Sequence, residues 1–96
     1  MSEFKGSKSP WLISGESEKW NRIIDANGDL ITTCFAMQNE DDANANLIAA
    51  APELLEALQE MVAIVKKHTY PQPDKPSSTY GRMEAAEAVI ARALGQ

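Results

Sequence analysis

The spacing of apolar residues divides the chain into a part that predicts strands and a part that predicts helices. Before residue 37 the apolar runs are short and bounded by polar residues or glycine, as is typical of strands. After residue 41 apolar residues recur every three or four positions, which is the period of an amphipathic helix. The pattern predicts an α+β fold: a two- to three-stranded antiparallel sheet over residues 11–37, followed by two to three helices packed on one face.

Asn27-Gly28 is the strongest local signal, because the dipeptide separates two strand-like runs and supplies the positive φ angles of a type I′ hairpin. Closing the hairpin there puts four cross-strand pairs on one face: Ala26 with Asp29, Ile24 with Ile31, Arg22 with Thr33, and Trp20 with Phe35. This face is the more apolar of the two, so we expect it to pack on the helices. The run at residues 11–14 predicts a third strand, since a lone hairpin is marginal in water.

Residues 41–68 predict a helical segment that is interrupted at Pro52. Acidic residues at its start suit the positive end of the helix dipole, and Lys66 and Lys67 suit its other end. Proline lacks an N–H and clashes with the preceding turn. Pro52 therefore either kinks one long helix or begins a second helix at its first position, where proline is favoured, and we favour the second arrangement.

The remaining segments complete the predicted organisation. Residues 1–10 mix serine, glycine and lysine and predict a flexible N-terminal tail. Residues 11–96 then form a single domain. Within it, three prolines make residues 69–78 a stiff, extended connector. A C-terminal helix follows over residues 79–94, and Gly95 marks its end.

Charge and composition narrow the function classes. The 96 residues include 14 acidic and 9 basic side chains, a net charge of −5. An acidic surface repels phosphate backbones, so direct binding of nucleic acid is disfavoured. No apolar run is long enough to span a membrane, and the polar N-terminus carries no signal peptide. We therefore expect a cytoplasmic protein.

No constellation of residues indicates catalysis, a metal or a cofactor. Cys34 is the single cysteine, which excludes an internal disulfide and a cysteine-rich zinc site. His68 is the single histidine, and its sequence neighbours offer no nucleophile or further ligand. Glycine-rich phosphate loops are also absent from the sequence. We expect neither an enzyme nor a bound cofactor.

The aromatic residues are the better candidates for binding. Trp11 and Trp20, with Arg22 close by, are of the types that anchor protein interfaces. The alternative is that both tryptophans fill the space between sheet and helices. Asn44 and Asn46 are poor helix formers within a predicted helix, and they either point at a ligand or occupy ordinary exposed positions.

The stretch from residue 43 to residue 58 resembles a sequence found in other small proteins. It reads Ala-Asn-Ala-Asn-Leu-Ile-Ala-Ala-Ala-Pro-Glu-Leu-Leu-Glu-Ala-Leu. With the hairpin before it, this stretch resembles a sequence that recurs in small accessory proteins of tailed phages and prophages. The resemblance covers residues 20–61, about two fifths of the chain. It implies a phage accessory protein in the cytoplasm of a bacterial host.

Three hypotheses for the function follow. The first is a stoichiometric, anti-CRISPR-like inhibitor of a host protein, whose carboxylates cover a basic, nucleic-acid-binding surface of the target. These carboxylates are Glu40, Asp41, Asp42, Glu53 and Glu56. The second is an oligomeric sponge that sequesters a cyclic nucleotide defence signal. The third is a regulatory or structural phage protein without inhibitory action. We also expect a homo-oligomer, because the helices carry more apolar side chains than a small sheet can cover.

Overall fold

The computed structural model describes residues 3–15, 20–71, 75 and 77–96, and over these residues the chain forms three strands followed by two helices. The elements are β1 (Leu12–Ser14), β2 (Trp20–Ile24), β3 (Leu30–Phe35), α1 (Asn39–Lys67) and α2 (Thr79–Ala93). The predicted α+β fold is confirmed, with the number of helices at the low end of the expected range. No helix within the described ranges is both long and apolar enough to cross a membrane.

The chain comprises two compact units. One unit is Gly6–Leu54, which contains the sheet and the first half of α1; the other joins Met1–Lys5 to Leu55–Gln96 and contains the second half of α1 with α2. A single domain over residues 11–96 stays a prediction.

The sheet is antiparallel with the strand order β1-β2-β3, so β2 is central and the predicted third strand is confirmed. β1 pairs with β2 through Leu12–Ile24, Ile13–Ile23 and Ser14–Arg22. β2 pairs with β3 through Trp20–Phe35, Asn21–Cys34, Arg22–Thr33, Ile23–Thr32 and Ile24–Leu30. The Trp20–Phe35 and Arg22–Thr33 pairs are those that the sequence predicts.

The hairpin loop is one residue longer than predicted. The Asp25 N–H donates to the Asp29 carbonyl at 2.9 Å, and the Gly28 N–H donates to the Asp25 carbonyl at 3.0 Å. Gly28 has a φ of 86°, whereas no non-glycine residue in the described part of the chain has a positive φ. Asn27 therefore cannot occupy a type I′ turn. The predicted turn type is wrong, and the connection is a three-residue loop that ends in a left-handed glycine.

A β-bulge compensates for the longer loop. Ile24 lies opposite Leu30 and Ile23 lies opposite Thr32, which leaves Ile31 as the extra residue of β3. The predicted pairing of Ile24 with Ile31 is wrong for this reason. Beyond the bulge the register returns to the predicted one. Each residue from Ile23 back to Trp20 lies opposite its expected partner on β3.

Asp25 organises the hairpin tip. Its side chain is buried, with 7% of its surface exposed. One carboxylate oxygen, Oδ1, accepts from the Asn27 N–H at 2.9 Å and from the Asp29 N–H at 3.0 Å. The neighbouring Ala26 N–H donates to the Lys8 carbonyl at 2.9 Å. The segment that precedes β1 is thereby bonded to the tip of the hairpin.

The core of the Gly6–Leu54 unit lies between the sheet and the first half of α1. Ile23 and Ala45 are both fully buried. On the same sheet face as Ile23, the Asn21 Nδ2 donates to Asp42 Oδ1 at 3.2 Å and so joins β2 to the first turn of α1. The sheet face that packs on the helix is therefore the one expected to be exposed. The prediction that the Trp20 face covers the helices is wrong.

α1 begins at a side-chain cap and continues through Pro52. The Asp41 Oδ2 accepts from the N–H groups of Met37 and Gln38, each at 3.1 Å, which satisfies donors just before the helix. Pro52 lies inside the helix, so the predicted second helix does not begin there. Proline's fixed φ is compatible with a helix, and its cost is one missing hydrogen bond and local crowding. Apolar residues keep their helical spacing before and after Pro52, and the helix continues through the proline despite that cost.

α2 begins and ends at recognisable caps. Ser78 has an extended backbone, and its Oγ accepts from the Gly81 N–H at 3.1 Å. At the other end Gly95 has a φ of 78° and its N–H donates to the Arg92 carbonyl. This is the glycine-terminated helix end that the sequence predicts.

Met83 is the buried centre of the α1–α2 unit, with 3% of its surface exposed. Lys66 Nζ of α1 lies 3.4 Å from Glu87 Oε2 of α2. Both side chains are exposed, so this ion pair adds little to stability and the buried apolar residues hold the two helices together.

Replacing Asp25 with alanine should remove the acceptor for two N–H groups at the hairpin tip. We expect the free energy of unfolding to fall by about 1–3 kcal/mol. Chemical denaturation followed by tryptophan fluorescence measures the change. The matched control is Asp29→Ala, whose side chain is exposed and should alter stability by less than about 0.5 kcal/mol. Equal losses for the two variants would contradict the role assigned to the Asp25 carboxylate.

Removing the Ser78 hydroxyl should uncap α2. Ser78→Ala leaves the Gly81 N–H without its side-chain acceptor, and we expect a loss of about 1 kcal/mol. Far-UV circular dichroism during denaturation measures this loss as a lower midpoint. Ser77→Ala, a change of the same size at the adjacent exposed residue, should leave the midpoint unchanged.

Candidate functional site

One face of the sheet in the Gly6–Leu54 unit is apolar and exposed. Residues that pair across strands share a face, so the register places five large apolar side chains together. This set, which we call the apolar face, is Leu12, Trp20, Ile24, Leu30 and Phe35. Four of the five are more than 40% exposed, from Trp20 at 42% to Phe35 at 57%. A sheet face of this composition ordinarily lies against a second layer.

A stacked aromatic pair dominates the apolar face. The rings of Trp20 and Phe35 lie 4.9 Å apart between centroids, with 25° between their planes. The pair forms because the two residues lie directly opposite each other on β2 and β3. Arg22 follows on the same face, half-buried, between Ser14 and Thr33. The pair thus presents a stacked aromatic surface on the sheet face that also carries Arg22.

The face that α1 covers differs from the apolar face in the size of its side chains. That face carries mostly short or β-branched side chains: Asn21, Ile23, Thr32 and Cys34. α1 meets it with alanine, because Ala45 is the fully buried residue of this helix. Asn21 on this face is bonded to Asp42 in the first turn of α1. The larger Trp20 and Phe35 rings lie on the exposed side.

A groove runs between β3 and the first half of α1 and has a volume of about 440 Å³. Its walls, which define what we call the β3–α1 groove, are Thr32, Thr33, Cys34 and Phe35 from β3 and Asp41, Asn44, Leu47 and Ile48 from α1. Successive strand residues point to opposite faces of a sheet. A groove that contacts four successive residues of β3 therefore follows the edge of the strand.

β3 is an edge strand without the usual protection. Its sequence Leu-Ile-Thr-Thr-Cys-Phe contains no charged residue and no proline. Within the described ranges, its backbone forms ladder hydrogen bonds with β2 and no other backbone. Proteins commonly block such edges with lysine, proline or a bulge. The bulge at Ile31 lies near the hairpin end, and the edge from Thr32 to Phe35 stays open beside the groove.

The other unit has grooves of its own between α1 and α2. The larger measures about 250 Å³ and is lined by Leu58, Met61, Val62 and Val65 from α1 and by Thr79, Arg82, Met83 and Ala86 from α2. The apolar stripe that the sequence places on this helix is thus partly buried against α2. Met61 remains 57% exposed at its margin.

The predicted binding residues occupy different places. Trp20 and Arg22 lie together on the apolar face. The Trp11 indole Nε1 donates to the Ser7 carbonyl at 3.0 Å, which orders the chain before β1. Glu40 is exposed in the first turn of α1, beside Asp41 and Asp42.

Within the Gly6–Leu54 unit, the predicted acidic residues lie at two places along α1. Asp41 lines the β3–α1 groove, and Asp42 bonds to Asn21 at the same end of α1. Glu53 lies eleven residues after Asp42, which is about 16 Å along the helix. Glu56 belongs to the other unit. Asp41 is therefore the predicted acidic residue that lines the groove, and Asp42 lies at the same end of α1.

Several residues of this surface escape the sequence prediction. Leu12 and Leu30 complete the apolar face, although the sequence pattern places neither of them on it, and Phe35 was expected to lie against the helices. Asn44 and Leu47 line the groove. The unfavourable placement of Asn44 in a helix was a signal for its position, whereas nothing in the local pattern distinguishes Leu47 from a core leucine.

The titratable residues with known catalytic uses are not assembled into a site in the described part of the chain. His68 is exposed just after the end of α1, and Cys34 is half-buried on β3. Across the residues that the structure describes, no three His, Cys, Asp or Glu side chains are placed to hold a metal ion.

Comparisons with known proteins give one result. A family model described as Salmonella phage P22 protein Y8K6 matches residues 1–96, the whole length of the chain. No curated protein and no solved structure matches.

The contrast between the two sheet faces predicts unequal losses of stability when each face is mutated. Ile23→Ala leaves a cavity in the core and should cost about 2–5 kcal/mol. Trp20→Ala removes an exposed ring and one stacking contact, and should cost less than about 1.5 kcal/mol. Denaturation followed by circular dichroism compares the two variants. A larger loss for Trp20→Ala than for Ile23→Ala would show that the apolar face is the buried one.

Proposed function

The chain belongs to the family of Salmonella phage P22 protein Y8K6, and on this premise we propose that it acts by stoichiometric binding to a protein of the bacterial host. The bound protein belongs to a defence system, and binding inhibits it. The observation that carries the proposal is the exposed apolar face with its Trp20–Phe35 stack.

The apolar face has the composition of an interface core. Contiguous exposed apolar patches mark interaction sites, and tryptophan is among the residues that contribute most to binding energy when buried by a partner. The Trp20–Phe35 stack is already ordered by the sheet, so a partner that covers it loses little side-chain entropy. Arg22 lies half-buried on the same face as the stack.

The acidic start of α1 adds electrostatic selectivity. Glu40, Asp41 and Asp42 are in its first turn, at the end of α1 that is bonded to β2. They face a basic surface of the partner, including one that otherwise contacts nucleic acid. Such complementarity accelerates association and makes it sensitive to salt. Covering a basic nucleic-acid site is the proposed route from binding to inhibition.

The other two hypotheses remain as outcomes of the test. A nucleotide sponge needs cationic side chains that converge on phosphates. The β3–α1 groove contains no cation, and the larger α1–α2 groove contains one, Arg82. A regulatory protein without inhibitory action would bind without changing the activity of its partner. A second copy of the chain is a further candidate for covering the apolar face.

Affinity capture from a host lysate tests the proposal when variants are compared. We expect the tagged protein to retain one host protein in stoichiometric amount and to release it as salt rises. The double variant Trp20→Ala, Phe35→Ala should retain about tenfold less of the host protein, because two central aromatic contacts are lost. The control variant is Tyr70→Ala, which removes an exposed aromatic residue outside the apolar face.

The same samples distinguish the alternatives. Inhibition is measured as the activity of the retained host protein with increasing amounts of the phage protein. A bait that elutes with excess absorbance near 260 nm and no host protein would favour the sponge. Equal retention by the double variant and the control would show that the apolar face is not the binding surface.

A further inference from the structure

The open edge of β3 can accept another strand. Backbone N–H and C=O groups along an edge that lacks charge and proline are a template for pairing. The β3–α1 groove gives such a strand a place beside Thr32 to Phe35. Its volume of about 440 Å³ lies within the range of about 300–1,000 Å³ of pockets that enclose ligands. Four paired residues would extend about 13 Å along the edge.

We propose that an extended, basic segment of the bound protein enters the β3–α1 groove and pairs with β3 as a fourth strand of the sheet. This inference rests on the proposed function, because the segment belongs to the host partner. Main-chain hydrogen bonds to β3 supply affinity that depends little on sequence, and side chains that alternate between the two faces supply selectivity.

The two walls of the groove define which side chains fit. Side chains of the added strand that point towards α1 meet Leu47 and Ile48, so they are apolar. Side chains that point the other way extend the apolar face next to Phe35. Asn44 is exposed on the helix wall, and its amide can both donate to and accept from the added backbone.

Charge indicates a basic segment. Asp41 is the one charged residue of the groove wall, and Glu40 and Asp42 are its neighbours in the first turn of α1. The wall contributed by β3 carries no charge. A lysine or arginine of the segment is therefore placed at the α1 N-terminal end of the groove.

A second copy of this chain fits the groove less well. Symmetric antiparallel pairing of β3 with itself centres on Thr32 or on Thr33, because the paired residues must share a face. These registers place Asp29 of the second copy opposite Phe35 or Met37. The Met37 N–H is bonded to Asp41, so the register centred on Thr33 brings two carboxylates together, whereas the one centred on Thr32 puts the Asp29 carboxylate against the apolar Phe35 ring. These contacts favour a basic partner over self-pairing.

Selection from a displayed library of random twelve-residue peptides against the full-length protein tests the inference. We expect the enriched peptides to be basic, with apolar residues at alternating positions. Synthetic copies should lose affinity about tenfold or more when alternate amides on one edge are N-methylated, and change little when the other alternate set is methylated. Only pairing through one edge of an extended strand gives this asymmetry.

Protein variants locate the peptide on the groove. Leu47→Arg introduces a bulky cation on the helix wall and should lower the affinity for the basic peptide by about tenfold. The matched control is Leu54→Arg, an exposed leucine on the same helix that does not line the groove. Failure to enrich peptides, enrichment of acidic peptides, or equal effects of the two methylation patterns would overturn the inference.

Competition separates this inference from the proposed function. An excess of the enriched peptide should displace the host protein from the tagged bait. Suppose that retention of the host protein depends on Trp20 and Phe35 but is not reduced by excess peptide. This result would show that the host protein does not occupy the groove, and it would leave the proposed function unchanged. Peptide binding to β3 without any retained host protein would overturn the proposed function and the assignment of the segment to a host partner.

Discussion

The placement of α1 on the Ile23 face of the sheet is the constraint on which the rest of the Gly6–Leu54 unit depends. Ile23 and Ala45 are fully buried, and Asn21 on the same sheet face is hydrogen-bonded to Asp42 of α1. Because a strand alternates its side chains, covering the Ile23 face commits Trp20 and Phe35 to the opposite side. The same helix position leaves the edge of β3 open along a groove. The exposed aromatic stack and the groove therefore have one physical origin.

In the hairpin, a one-residue shift in strand register is offset by a β-bulge in the same hairpin. Asp25 replaces a two-residue turn by a three-residue loop, since its carboxylate binds two backbone N–H groups of the loop. The longer loop shifts the pairing by one residue, and the bulge at Ile31 shifts it back. Without the bulge, Trp20 would lie opposite Cys34 rather than Cys34's neighbour Phe35, and the aromatic stack could not form.

The strand pairing and the helix ends were predictable because they depend on local chemistry. Asn27-Gly28 located the hairpin within one residue, and Gly95 located the end of α2. The choice of sheet face was not predictable from apolar content, because the more apolar face is the exposed one. The helix path through Pro52 was not predictable either, because proline is compatible both with the interior of a helix and with its first position. The β3–α1 groove is formed by residues of two elements, so no single segment of the sequence predicts it.

The apolar face, the open edge and the acidic helix start contribute to different stages of binding. Charge acts over about 8–10 Å at ordinary ionic strength, so the first-turn carboxylates act mainly on the rate of encounter. Aromatic contacts and main-chain pairing act at short range and determine how long a complex persists. Phe35 belongs to both the apolar face and the groove wall, so a strand paired with β3 continues the surface that carries the Trp20 stack. A partner that uses both would bury one continuous surface rather than two separate sites.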